Sequence, residues 1–231
     1  MDVYLNGQMI PQQQATVSVE DAGFQHAVGL FETMMAFHGK VFRLEQHLLR
    51  LARSAKELGL ARELDLPRLA KAVEQTLSHN KLTDARIRLT VTAGTVSLLK
   101  PAAPTEIEPT VLVIASPPTK YDPAYYEKGI RVVIAPAGSN PYDALAGHKT
   151  LSYWGRLRTL RQAAGVGAGE AIWLNVTNHL ASGSVSNIFL VKDGVLYTPY
   201  ARGEEVPGAL PAPVLPGITR QAIFDIAEEH E

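Results

Sequence analysis

At 231 residues, with 46% hydrophobic and 19% charged side chains, the chain can bury a substantial core as one large domain or two modest ones, which excludes the disordered and fibrous classes. A formal net charge of −1 with no basic run excludes the electrostatic footprint of a nucleic-acid binder and leaves a small-molecule partner. The absence of cysteine excludes disulfides, thiolate metal sites and a cysteine nucleophile. With no signal-like start and no apolar run of about 20 residues, a cytoplasmic protein without membrane contact is expected.

In "VYLNGQMI" the dipeptide Asn6-Gly7 stands between apolar runs and predicts a hairpin. His38-Gly39 predicts a second turn within "GLFETMMAFHGKVFRL", so the N-terminal sheet is expected to be at least partly antiparallel. Leu44, Leu48, Leu51, Ala52, Ala55 and Leu58 share one helical face, and Gly59 is placed to stop that helix. A second helix is predicted after Asp65, with Pro67 in its first turn, running to about Asn80. The alternating "RIRLTVTAG" predicts a strand, giving an α+β layer with helices on one side.

Prolines at 101, 104, 109, 117, 118 and 123 mark connections around the strand "TVLVIAS". They suggest a small α+β domain over 1–116, a linker over 117–123 and a larger, β-rich domain over 124–231. That second domain is expected to contain the strand "IRVVIAP", a helix through about Ala164, the strand "AIWLNV" and the hairpin "NIFLVKDGVLYTP". A final helix over "PGITRQAIFDIAEEHE" is expected to bury Ile218, Ala222, Ile223, Ile226 and Ala227. It has neither a glycine cap nor a following strand, so the chain reads as cut short.

Lys149, where the loop "AGHK" meets a helix, reads either as a solvated surface group or as a Schiff-base lysine, since a partly buried amine becomes nucleophilic toward a carbonyl. Gly217, Ile218 and Thr219 open a helix whose amides and hydroxyl can seat a phosphate, or they form a plain helix start. Arg50 could supply a fixed cation for such a phosphate, or be an exposed helix arginine. No metal-ligand spacing, Walker loop, dinucleotide fingerprint or G-x-S-x-G elbow is present.

Four segments change this weighing through their order: "VEDAGFQHAVGLFETM", "RLEQHLLRLARSA", "HKTLSYW", and "SGSVSNIFLV" followed by "TP" and "LPGITR". Together they resemble the class IV, fold type IV pyridoxal-phosphate (PLP) aminotransferases, a group of branched-chain aminotransferases, D-amino-acid aminotransferases and aminodeoxychorismate lyase. The resemblance implies that Lys149 binds the cofactor aldehyde and shuttles the α-proton. It also implies that Arg50 holds the phosphate with Gly217, Ile218 and Thr219, and that Tyr153, Ser182, Ser186 and Asn187 line the cofactor. His26, Phe31 and Arg88 match substrate-pocket positions.

Two departures stand out. Ser182 occupies the position of a family glutamate that pairs with the protonated ring nitrogen; a hydroxyl can hydrogen-bond a neutral ring but cannot stabilise the same charge. Family members also continue beyond the "GITR" helix, and the loop "YARGEEVPGALPAPV" is longer than usual. The implied activity is transamination between an amino acid, branched-chain by default, and a 2-oxo acid, in a homodimer. A lyase that eliminates pyruvate to give 4-aminobenzoate is the alternative, and a non-catalytic cofactor-binding descendant is the third reading.

Overall fold

A computed structural model describes residues 1–95 and 108–230. The prolines at 101 and 104 lie outside the described residues. The chain divides into two compact units, Met1–Lys120 with Lys149–Ser152, and Tyr121–His148 with Tyr153–Glu231. The segment Lys149–Ser152, expected in the second domain, therefore belongs to the first unit.

In the first unit β1 (Asp2–Leu5) and β2 (Gln8–Pro11) form the hairpin expected at Asn6-Gly7, whose φ angles of 48° and 98° suit that dipeptide. A short helix α1 (Ala22–His26) follows, then β3 (Gly29–Phe37) and β4 (Lys40–Val41), joined at His38-Gly39. Helices α2 (Leu44–Glu57) and α3 (Leu66–His79) follow, then strands β5 (Ala85–Thr92) and β6 (Val111–Ser116). The strands form one six-stranded sheet in the order β2-β1-β6-β5-β3-β4, with every pair antiparallel.

Alternation along β3 and β5 sends Leu30, Met34, Ala36, Ile87, Leu89 and Val91 into one core with Leu48, Leu51, Val73 and Leu77 of α2 and α3. Each of these larger side chains contributes about 1.5–3 kcal/mol by leaving water. Asp21 ties α1 to the sheet: its carboxylate accepts from Gly23 N at 2.7 Å and from the hydroxyls of Thr92 (2.8 Å) and Thr110 (2.6 Å). Burial pushes the Asp21 carboxyl up, but these hydrogen bonds outweigh it and hold it below its ordinary value.

The second unit contains α4 (Ala124–Lys128), β7 (Val132–Ile134), α5 (Trp154–Gly165), β8 (Glu170–Leu174), β9 (Leu180–Gly183), β10 (Leu190–Lys192), β11 (Val195–Tyr197) and α6 (Ile218–Glu229). Strand β8 runs parallel to β7 and antiparallel to β9, while β10 and β11 form a separate hairpin turning at Asp193-Gly194. Its buried apolar clusters are small, built from Ala163, Ala168 and Ala171 and from Ala181, Ala201 and Val214.

The expected buried face of α6 needs correction, because Ile226 is 55% exposed and Arg220 is buried at 3%. The Arg220 guanidinium donates to both oxygens of Glu204 at 2.7 Å and to Pro199 O at 3.0 Å. On the same helix Phe224 meets Phe189 edge-on at 5.9 Å. No helix among the described residues is long and apolar enough to cross a membrane.

Candidate active site

On the first unit's sheet, residues 149–151 run along the edge of β3 that β4 leaves open. Phe31 N donates to Lys149 O, and Leu151 N to Gly29 O, both at 2.9 Å. This pairing fixes the backbone of Lys149 beside Phe31. The Lys149 ammonium nitrogen lies 4.5 Å from the centre of the Phe31 ring, and the Arg88 guanidinium carbon lies 3.8 Å from the same centre. Phe31 and Arg88 are on the alternate positions of β3 and β5, so this cation–aromatic–cation group occupies the face away from α2 and α3.

Glu32, one residue on, points to the helix side with Leu30 and Met34 and is 1% exposed. A carboxylate there needs partners, and α2 supplies two of them one turn apart. His47 Nδ1 is 2.7 Å from one oxygen, while Arg50 donates through Nε at 2.9 Å and through Nη2. Burial pushes the Glu32 carboxyl up; the hydrogen bonds from His47 and Arg50, with the Arg50 charge, outweigh it and hold it below the usual carboxylate value.

In the second unit the small residues of "LASGS" have a structural reason. Ser182 on β9 faces Trp173 across the ladder and is 5% exposed. A side chain on Gly183 would strike Ser186 and Glu170. The Glu170 carboxylate accepts from Ala171 N (2.8 Å), Ser184 N (3.0 Å), Val185 N (3.3 Å) and Ser186 Oγ (2.9 Å), and so shapes the turn after β9. Trp173 Nε1 donates to Ser184 Oγ at 3.0 Å, and the Tyr153 hydroxyl donates to Ser184 O at 3.2 Å. From α5, Arg156 Nη1 donates to Ser182 Oγ at 3.1 Å and to Gly183 O at 2.9 Å.

Gly217 caps α6 with no side-chain hydrogen bond, so the first-turn amides face outward from the helix's positive end. A Cβ at Gly217 would overlap Asn187 Oδ1, whose amide nitrogen donates to Leu215 O at 2.9 Å. The long loop before α6 is ordered by two carboxylates. Glu204 accepts from Ala201 N, and Glu205 from Gly203 N and Ala212 N, each at 2.8 Å.

Residues 29–231 match the family profile described as amino-transferase class IV. The chain belongs to the class IV aminotransferases. Members of this family are PLP-dependent enzymes, so the class IV aminotransferase described here is one as well. It is 36% identical over 231 residues to a putative branched-chain-amino-acid aminotransferase of Methanocaldococcus jannaschii, covering 99% of this chain and 75% of that relative. Its fold matches the Escherichia coli branched-chain amino acid aminotransferase with a TM-score of 0.86 at 28% identity, covering 99% and 74% of the two chains. A hypothetical aminotransferase from Mycobacterium tuberculosis, solved with alpha-ketoglutarate and PMP bound, matches at 0.82 and 26%, covering 100% and 78%.

Of the residues named from sequence, the first unit of this class IV aminotransferase groups Lys149, Phe31 and Arg88. Arg50 stands with Glu32 and His47 instead, and His26 is exposed at the end of α1. The second unit links Tyr153, Ser182 and Ser186 through Ser184, Glu170 and Arg156, and sets Asn187 against Gly217 ahead of Ile218 and Thr219. Sequence reasoning missed Glu32, His47, Glu170, Arg156 and Arg220. Glu32 carried a signal, because an acid at an inward position of an alternating strand must find a partner. Nothing in the spacing of the other four marked them.

Proposed function

We propose that the protein transfers amino groups between branched-chain amino acids and a 2-oxo acid. The observation that carries this reading is Lys149, a half-buried lysine pinned to the edge of β3 with its amine on the face of Phe31. The residues present fit PLP: an amine on an aromatic face suits a carbonyl partner, and a helix start at Gly217 without a side-chain cap, where Asn187 leaves no room for a Cβ, suits a phosphate. When bound, PLP supplies an electron sink for charge at the α-carbon.

Lys149, whose amine lies against Phe31, would be the residue that holds the cofactor through its aldehyde and the base placed to carry the α-proton. Ile218 and Thr219, through their amides and the Thr219 hydroxyl, would hold the cofactor phosphate, a role that the family resemblance also gives to Arg50, which Glu32 orients within the first unit. Ser182 would face the ring nitrogen, and Tyr153, Ser186 and Asn187 would line the cofactor. Arg88 binds the substrate carboxylate, and the Phe31 ring favours an apolar side chain over a second carboxylate. His26 completes the substrate pocket. The proposal includes a homodimer in the cytoplasm; exposed Val19 and Phe24, at 72% and 73%, support a covered surface beside α1.

The deciding experiment follows leucine, isoleucine and valine with 2-oxoglutarate, alongside borohydride trapping of cofactor on Lys149. No trapped adduct, or no glutamate from any of the three donors, would falsify the reading. A second reading, pyruvate elimination giving 4-aminobenzoate, is favoured by one observation: a hydroxyl held by Arg156 stands where a carboxylate is expected. Release of pyruvate without an amino acceptor distinguishes it.

A further inference from the structure

We propose that Arg156 and Ser182 together keep the ring nitrogen of the bound cofactor neutral, Arg156 acting as a positioning residue through the Ser182 hydroxyl. The inference rests on the reading above, in which Ser182 takes that nitrogen. Its own ground is the hydrogen-bond direction within the second unit.

Arg156 Nη1 donates to Ser182 Oγ at 3.1 Å and to Gly183 O at 2.9 Å. The guanidinium also lies 5.3 Å from the Trp173 ring centre, and Trp173 is itself fastened to Ser184. Arginine is thus held over β9 by two hydrogen bonds and an aromatic face, and it cannot shed its proton. A serine hydroxyl has a single proton to give. With Oγ already accepting from a permanent cation, that proton is directed to an acceptor, and a pyridine nitrogen with a lone pair is one.

A protonated ring would reverse both terms. It would present N–H to an oxygen polarised by Arg156, and it would set a second positive charge beside the guanidinium at a position where Ser182 is buried. The carboxylate nearby, Glu170, is hydrogen-bonded to three backbone amides and the Ser186 hydroxyl, so the group that directly contacts the Ser182 oxygen is the Arg156 cation. Ser182 alone is a missing charge; Ser182 with Arg156 is a reversed one. The ring is then a weaker electron sink, and more of the stabilisation of charge at the α-carbon falls to the protein.

The test is nitrogen-15 NMR of the protein loaded with PLP labelled at the ring nitrogen. The wild type is expected to resonate in the neutral-pyridine range across the pH range in which the protein is folded. Arg156→Met is expected to move the signal toward the pyridinium range, and Ser182→Glu combined with Arg156→Met to bring it fully there. Ser182→Glu alone should move it less, because Arg156 would hold the new carboxylate; this variant keeps the test open if Arg156→Met folds poorly. A wild-type signal in the pyridinium range overturns the proposal, as does a neutral signal that none of the three variants shifts. Failure of Lys149 to trap the label under borohydride instead overturns the functional reading beneath it.

Discussion

Arg50 and Glu32 form a bidentate ion pair in which the carboxylate is almost wholly removed from water, with His47 on one of its oxygens. The pair joins α2 to β3 directly behind Phe31, so the strand that carries the aromatic ring is locked to the helix that carries the proposed phosphate-binding arginine. Removing one partner of such a pair leaves the other charge buried. Glu32→Gln is therefore expected to lower unfolding free energy by about 3 kcal/mol, measured by urea titration at neutral pH. An unchanged midpoint would show that Arg50 finds another partner.

The same pair predicts an acid limb. The folded-state value of Glu32 lies below its ordinary 4.5, so the folded protein holds its proton less tightly than the unfolded chain does. The resulting stabilisation is fully present above pH 4.5 and is lost as pH falls through the lower folded value. Unfolding curves between pH 6 and 3 should show a wild-type decline that is shallower in Glu32→Gln.

Lys149→Ala is expected to cost about a hundredfold to ten-thousandfold in turnover, the range attributed to a positioned proton carrier. It should also abolish the mass increment left by borohydride reduction. A mutant with the wild-type increment would place the covalent bond on another amine.

Glu170 organises the turn that follows β9 by accepting from three amides and one hydroxyl. Replacing its charge in Glu170→Gln weakens several charge-assisted bonds and should cost about 1–3 kcal/mol. For a chain of this size that is a fall in melting temperature of about 2–4 °C per kcal/mol, readable by calorimetry. Since Ser184 and Ser186 lie on that turn, weaker PLP retention on dialysis should accompany the fall.

Gly217→Ala puts a methyl where Asn187 stands and must displace the start of α6. Cofactor affinity is expected to drop about tenfold, or ~1.4 kcal/mol, by fluorescence titration with PLP. Gly155→Ala, on an open helical surface, serves as the control and should leave affinity unchanged.

Local signals carried most of the elements. Asn6-Gly7, His38-Gly39 and Asp193-Gly194 all occupy left-handed φ angles that their residue types tolerate, and the apolar spacing from Leu44 set one face of α2. The order of four motifs carried the family. What such signals do not contain is which charge meets which. Glu32 and Arg50 are 18 residues apart, Arg156 and Ser182 are 26 apart, and Glu204 and Arg220 are 16 apart. Each pair forms because a polar group carried into the interior must be matched there, and the match depends on how strand and helix or loop and helix are stacked.

The sequence by itself determined most of the strands and the longer helices, though not α1, α4 or β9, together with the class IV aminotransferase family and the lysine proposed for catalysis, because these rest on turn chemistry, periodicity and ordered motifs. Only the tertiary structure decided the surroundings of those residues. It set Lys149 beside Phe31 and Arg88 through backbone pairing with β3, gave Arg50 to Glu32, and placed a cation rather than a carboxylate on Ser182. Electrostatic environment is a property of packing distance and burial, and neither is written in the spacing of residues along the chain.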